Sequence, residues 1–166
     1  MNTFSNQLPF HICSEQMLER SHWFGPNLIT FLITSAETKG AFALIRCVLK
    51  KGFEPPLHIH SNEDESSFIL DGEIQYQAGE RDIHAKAGDF VHLPKLVPHT
   101  FKPITDTVTL LLLITPGGFE EMFRQCSRPA TTFALPTVAG EKPDASFFEL
   151  MTRANRDLGV LLLPDL

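Results

Sequence analysis

The stretch that decides the reading is GFEPPLHIHSNEDESSFILDG, residues 52–72. It holds His58 and His60 two residues apart, Glu65 five further on, and a glycine at each end. In an extended strand, side chains two apart share a face and stand roughly 7 Å apart along the backbone, so two imidazoles can converge on one metal ion. A helix would turn them away from each other. Pro55 and Pro56 disfavour a helix here, because proline lacks the amide hydrogen and clashes with the preceding turn. Leu57 and Ile59 then face the opposite way, which gives a strand with a polar lining and an apolar back.

The spacing also carries a resemblance. Gly52, five residues, His58, one residue, His60, four residues, Glu65, six residues, Gly72 resembles the first motif of the cupin superfamily without a gap. Gly88 to His99, GDFVHLPKLVPH, resembles the second, with Gly88, Pro94 and His99 in register. Two positions depart from the family pattern: Leu96 stands where glycine is usual, and Pro103 where asparagine is frequent. Both lie close to His99 and bear on the turn that presents it.

The resemblance implies an all-β fold, the cupin double-stranded β-helix or jelly-roll barrel, with short C-terminal helices. It also implies a ligand set, His58, His60, Glu65 and His99, holding one divalent transition metal ion per chain. Three imidazoles and a carboxylate suit Fe, Mn, Ni, Co, Cu or Zn, and affinity order alone does not choose among them. Octahedral coordination by four protein groups leaves two positions open for substrate, dioxygen or water. The plainer reading of His58 and His60, exposed strand histidines without a ligand, has the two ordered motifs against it. Spacing selects Glu65, and the adjoining Glu63 and Asp64 are assigned to a solvated loop. His92 can line a cavity but reads first as an ordinary strand histidine, while His11, His22 and His84 are placed at the surface.

The bulk numbers exclude several classes. A chain of 166 residues is long enough for one domain with a sizeable core, burying about 70% of the surface its unfolded form exposes. The net charge of -6 and scattered Lys and Arg residues argue against nucleic acid as a partner, which would call for a basic stripe. The longest apolar run, Val108 to Ile114, is far short of the roughly 20 residues that span a bilayer and reads as a buried strand. Cys13, Cys47 and Cys126 are odd in number and widely spaced. With no N-terminal segment of signal-peptide type, they are expected to be reduced thiols in a cytoplasmic protein, small buried or half-buried side chains without chemistry of their own.

Read in order, the chain is expected to form a single domain, residues 1–166, with a barrel core at about 23–116 and a C-terminal helical extension at about 119–166. Gln16 to Arg20 suits a short helical turn. Strands are expected at Leu28–Thr34 and Ala41–Leu49, joined as a hairpin, then at the metal motif, Ser67–Leu70, Glu73–Ala78, Asp82–Ala85, Phe90–Leu93, His99–Pro103 and Thr107–Thr115. Asp71-Gly72 reads as a hairpin turn. Phe119–Gln125 forms a short helix with Phe119, Met122 and Phe123 on one face, and residues 127–143 a proline-rich crossing. Asp144–Asp157 is an amphipathic helix with Phe147, Phe148, Leu150 and Met151 inward. The closing GVLLLPDL is too apolar for water and is expected to pack on this barrel or on a second copy. Trp23 to Pro26 suits core or interface packing, with a lid as the alternative. Some of Phe68, Tyr76, Phe90 and Phe101 are expected to line an apolar cavity.

A narrower resemblance runs from about Trp23 to Phe123. WFGPNLITFLIT, PPLHIHSNEDESSFILDGE, GDFVHLPKLVPHTF and ITPGGFEEMF are similar to small bacterial cupins of the quercetin 2,3-dioxygenase type. This implies a metal-dependent dioxygenase on a small aromatic or enolic substrate, with Glu65 as both ligand and the base that takes the substrate hydroxyl proton. It also implies a homodimer. Two other classes stay open: a cupin that binds a small ligand or metal without turnover, and a non-redox isomerase or decarboxylase. Pocket polarity separates them in part. Phe and Leu walls favour an aromatic substrate, and several Arg or Lys near His99 a carboxylated or phosphorylated one. Lys95 and Lys102 lie near the motifs, with no inward-pointing arginine, which tilts the reading toward an apolar substrate.

Overall fold

The computed structural model describes residues 9–137 and 144–164. Parts of the expected N-terminal, linker and C-terminal segments, residues 1–8, 138–143 and 165–166, lie outside these. The described elements run β1 (Ser21–Phe24), β2 (Asn27–Ile33), α1 (Ser35–Thr38), β3 (Ala43–Lys50), β4 (His58–His60), β5 (Asp64–Asp71), β6 (Glu73–Ala78) and β7 (Arg81–Lys86). They continue with β8 (Phe90–Leu93), β9 (His99–Pro103), β10 (Thr107–Thr115), α2 (Glu120–Gln125), β11 (Arg128–Pro129), α3 (Ala145–Asp157) and β12 (Val160–Leu162). Single 3-10 turns at Ser14–Gln16 and Leu18–Arg20 precede them.

The strands form two antiparallel sheets, β11-β1-β2-β3-β10-β5-β8 and β12-β4-β9-β6-β7, the jelly-roll barrel expected from the motifs. In β3 the side chains of Ala43, Ile45, Cys47 and Leu49 are buried, while Leu44, Arg46 and Val48 on the outer face are half-covered. The period-2 alternation of a strand sends alternate residues to opposite faces. Val108, Leu110 and Ile114 of β10, central in the larger sheet, complete that wall. Ile74, Tyr76 and Ala85 oppose it from the smaller sheet.

The reading of Asp71-Gly72 as a hairpin is corrected. β5 belongs to the larger sheet, while β6 pairs with β7 and β9 in the smaller one, so this turn is a corner at which the chain changes sheets. The local signal for a tight turn was sound, but the Glu73 N–H goes to the Thr105 hydroxyl at 3.0 Å, not to β5. Gly72 is obligatory there: its φ is +83°, and a Cβ would lie 2.5 Å from the Thr107 carbonyl oxygen. The steps β4 to β5, β7 to β8 and β9 to β10 change sheets in the same way. This weaving puts residues from both sheets around one interior.

The C-terminal run packs on its own barrel. β12 pairs antiparallel with β4, Val160 opposite His60 and Leu162 opposite His58. The end of the chain therefore contributes a strand as well as helix. α3 covers one end of the barrel, with Phe147, Leu150 and Met151 against the core, whereas Phe148 is 45% exposed and borders the interior cavity. Trp23 is buried, its indole N–H donating to the Ala134 carbonyl at 2.9 Å. His22 is half-buried, not on the surface: it sits edge-on to Phe31 and pairs with the Ser127 hydroxyl. No helix among the described residues is long and apolar enough to cross a membrane.

Candidate metal centre

β4 carries His58 and His60 with the burial alternation of a half-buried strand, and both histidines point between the sheets. Two of its neighbours hold it in place: β9, with His99 directly opposite His58, and β12 on the other edge. The Leu96 N–H donates to the His60 carbonyl at 2.9 Å, and the Thr100 hydroxyl to the Pro55 carbonyl at 2.7 Å. Leu96 takes the left-handed conformation, φ +66°. The turn before His99 therefore keeps a glycine-type backbone although leucine occupies it. Glu65 comes from β5 in the other sheet and reaches the histidines across the interior.

The four side chains are all buried, and one potential ligand atom from each lies within 4.8 Å of those from the others. With metal–ligand bonds near 2.1 Å, two ligands of one ion stand no more than roughly 4.2 Å apart, so the set needs to close only slightly. Glu65 Oε2 lies 3.5 Å from His99 Nε2 and 3.7 Å from His60 Nε2. The His58 Nδ1–H donates to the Pro56 carbonyl at 2.8 Å and the His99 Nδ1–H to the Val97 carbonyl at 2.9 Å, leaving Nε2 with its lone pair in each. Both nitrogens of His60 and Nε2 of His99 are buried without a hydrogen-bond partner. Buried polar atoms are rarely left so. Orphaned nitrogens converging on a carboxylate fit a transition-metal ion, and these residues could hold one.

The electrostatics agree. Burial, followed by the neighbouring His99, pushes His58 down to about 4, so it is the neutral imidazole a metal requires. Burial works to raise Glu65, but His60, His99 and His58 outweigh it and hold the carboxyl at about 2. For His60, burial disfavours the charge, yet Glu65 and Glu63 together raise it.

The site opens into a cavity of about 520 Å³ between the sheets, within the usual range for a small-molecule site. Phe24, Phe53, Phe101, Phe119 and Phe123 line it, and among the described residues no lysine or arginine does. Phe119, at the start of α2, stands edge-on to His60 with ring centroids 4.3 Å apart. Tyr76 and Phe101 line the cavity as expected, whereas Phe68 and Phe90 face solvent, paired across β5 and β8. His92 is exposed and pairs with the Ser66 hydroxyl, and His11 and His84 are exposed. Lys95 and Lys102 are exposed as well.

Sequence reasoning missed two contributors. Glu63 is not in a solvated loop but 5% exposed, with Oε2 3.7 Å from His60 Nδ1. The i to i+3 spacing after a strand gave no sign of that burial. Met151, Thr152 and Asn155 of α3 also line the cavity, a long-range closure that no local pattern announces.

Residues 45–115 match the family model described as cupin domain. The quercetin 2,3-dioxygenase of Bacillus subtilis (strain 168) is 25% identical over 112 residues, covering 68% of this chain and 33% of that protein. The chain thus spans about a third of the length of this curated relative. Among solved structures, oxalate decarboxylase from Bacillus subtilis superposes with a TM-score of 0.51 at 19% identity, covering 58% of this chain and 27% of that one. KdgF from Halomonas sp. superposes with a TM-score of 0.50 at 12% identity, covering 56% and 81%. At these identities the structural likeness bears on the fold alone. With the two motifs in order and the two sheets they build, residues 45–115 match a cupin domain, and the chain resembles quercetinase-like cupins.

Proposed function

We propose that this protein is a metal-dependent, dioxygenase-like oxidoreductase acting on a small aromatic or enolic substrate. The observation that carries the reading is a ligand-type cluster of three histidines and a glutamate opening onto an apolar, phenylalanine-lined cavity whose wall, among the described residues, holds no lysine or arginine. A small carboxylate or phosphate would find no fixed cation among the described residues there, whereas a neutral ring finds aromatic contact on several sides. The likeness to a quercetin 2,3-dioxygenase supports the same substrate class.

His58, His60, His99 and Glu65 would hold the metal, which when bound would supply Lewis-acid and redox chemistry at its open positions. The protein's own part follows from its residues. The phenylalanine walls orient the ring and exclude water. Glu65, ionised at neutral pH, accepts first the hydrogen bond and then the proton of an acidic enol hydroxyl. Ring orientation at His58 and His99 is fixed by the two backbone carbonyls, which leaves Nε2 of each for the ion.

The test is elemental analysis of protein purified without chelator or added metal, followed in the same sample by oxygen uptake with a flavonol panel. Near-stoichiometric iron, manganese, nickel, cobalt or copper together with uptake is the expected result. Bound metal without uptake on any flavonol would overturn the dioxygenase reading and leave the ligand set standing. No metal even after reconstitution would remove the ligand set as well.

A further inference from the structure

The three histidines of the centre are not held alike. His58 and His99 each commit Nδ1 to a backbone carbonyl, which can only accept, so the proton sits on Nδ1 and the lone pair on Nε2. His60 has no such carbonyl. It is wholly buried, and neither of its ring nitrogens has a hydrogen-bond partner. Nε2 faces Glu65 at 3.7 Å, on the side where the ligand atoms gather. On the Nδ1 side, also at 3.7 Å, stands Oε2 of Glu63. Glu63 is 5% exposed, and this oxygen too is buried without a partner. The adjoining Asp64 does not compete, since it accepts the Lys95 N–H at 2.8 Å. A buried imidazole nitrogen and a buried carboxylate oxygen are each unfavourable alone, and a small rotation brings these two into hydrogen-bond range.

We propose that Glu63 is a positioning residue of the metal centre: its carboxylate accepts the Nδ1–H of His60 and so fixes the tautomer that presents Nε2 to the ion. Backbone carbonyls do this for His58 and His99, and a side chain does it for His60. A carboxylate partner also makes the imidazole a stronger donor than a carbonyl does. With Glu65 it brings two negative charges to the site, matching a divalent cation. The inference rests on the reading of His58, His60, Glu65 and His99 as a metal-binding set.

Two measurements test it. Zn²⁺ is titrated against a chromophoric chelator into metal-free wild type, Glu63→Ala, Glu63→Gln and Glu63→Met. The nitrogen-15 shifts of the His60 ring are read in the metal-free proteins at alkaline pH, where the ring is neutral. Glu63→Ala is expected to weaken Zn²⁺ binding by about 10- to 100-fold and to leave His60 as a mixture of tautomers, with the melting temperature little changed. Glu63→Gln, whose amide carbonyl accepts the same proton, is expected to recover most of the affinity and the single tautomer. If Glu63→Ala does not fold, Glu63→Met, which fills the space without accepting, is read in its place. Wild-type affinity in the alanine or methionine variant, or a His60 proton that stays on Nδ1 in it, overturns the proposal. A wild type that takes no Zn²⁺ overturns the metal reading instead, and the tautomer comparison then decides the role of Glu63 by itself.

Discussion

His58 and His99 stand directly opposite each other on β4 and β9, their ring centroids 4.4 Å apart, although 41 positions separate them in the chain. Neighbouring strands lie about 4.8 Å apart, so an antiparallel register that pairs two histidines fixes the spacing of two ligands without help from any loop. The barrel thereby sets the spacing of this pair before any ion arrives.

His58→Ala combined with His60→Ala is expected to abolish metal content while leaving the barrel folded. Removing His60 gives up its packing on Phe119 but also removes two buried nitrogens without partners, and these effects oppose each other. Elemental analysis should read no metal, with a melting temperature within a few degrees of the metal-free wild type. An unfolded double variant would mean that the ion is structural.

Glu65→Gln separates binding from proton transfer. The amide keeps the size and one coordinating oxygen but cannot take a proton, so oxygen uptake with a flavonol is expected to fall by about 10²- to 10⁴-fold. Residual metal content should exceed that of the double histidine variant. Uptake at the wild-type rate with metal bound would show that Glu65 is a ligand and not the base.

The metal-free protein should lose stability in acid, in two stages. His58 lies at about 4 in the fold against 6.5 unfolded. As pH falls from 6.5 toward 4 the unfolded chain gains a proton that the folded chain refuses, and stability drops. Glu65, at about 2 against 4.5, adds a second loss as pH falls from 4.5 toward 2. His60 has the opposite sign: its raised value favours the fold below 6.5, and that gain disappears as pH rises through the folded value. Thermal melts after chelation should therefore peak near neutrality, and His58→Asn should flatten the limb between 6.5 and 4. An unchanged limb in that variant would contradict the assignment.

How far the sequence disclosed all this follows from the range of the forces involved. His58 and His60 were legible because a strand's two-residue period places them on one face whatever lies beyond. Glu65 and His99 were legible only through the spacing of the two motifs, since each reaches the site from a different strand. β12 was not legible as a strand, because Val160, Leu161 and Leu162 do not alternate and owe their form to β4, some hundred residues earlier. The Asp71-Gly72 turn was visible, but the sheet to which its second strand belongs was not, since that depends on Thr105. Burial of Glu63 likewise depends on a fold closed around it, and beside Asn62 and Asp64 it looks like any solvated loop residue.

Tyr76 supplies a test of the cavity. It is 1% exposed and lines the cavity, and its hydroxyl has no hydrogen-bond partner; Ser67 stands toward it without closing a bond of good geometry. Removing a buried, unsatisfied hydroxyl is neutral or stabilising, so Tyr76→Phe is expected to melt at or above the wild-type temperature. If substrate oxygen is what the phenol meets, KM should rise about tenfold for a hydroxyl-bearing or carbonyl-bearing flavonoid, the worth of one hydrogen bond. An unaltered KM would place the phenol outside the bound ring.

Leu96 offers the opposite kind of change, a gain. Its φ of +66° lies where a side chain clashes with its own backbone, at roughly 1–2 kcal/mol for a non-glycine residue. The side chain is 65% exposed, so little burial is forfeited by removing it. Glycine relieves the clash but adds freedom to the unfolded chain, an opposing effect of about 0.5–1 kcal/mol. The balance favours Leu96→Gly by up to about 1 kcal/mol, seen as a rise of roughly 2–4 °C in melting temperature for a chain of this size. Because the Leu96 N–H also holds the His60 carbonyl at 2.9 Å, metal affinity reports whether the turn keeps its shape: unchanged affinity with a higher melting temperature is the expected pair. A lower melting temperature would mean that the exposed leucine makes contacts worth more than its strain.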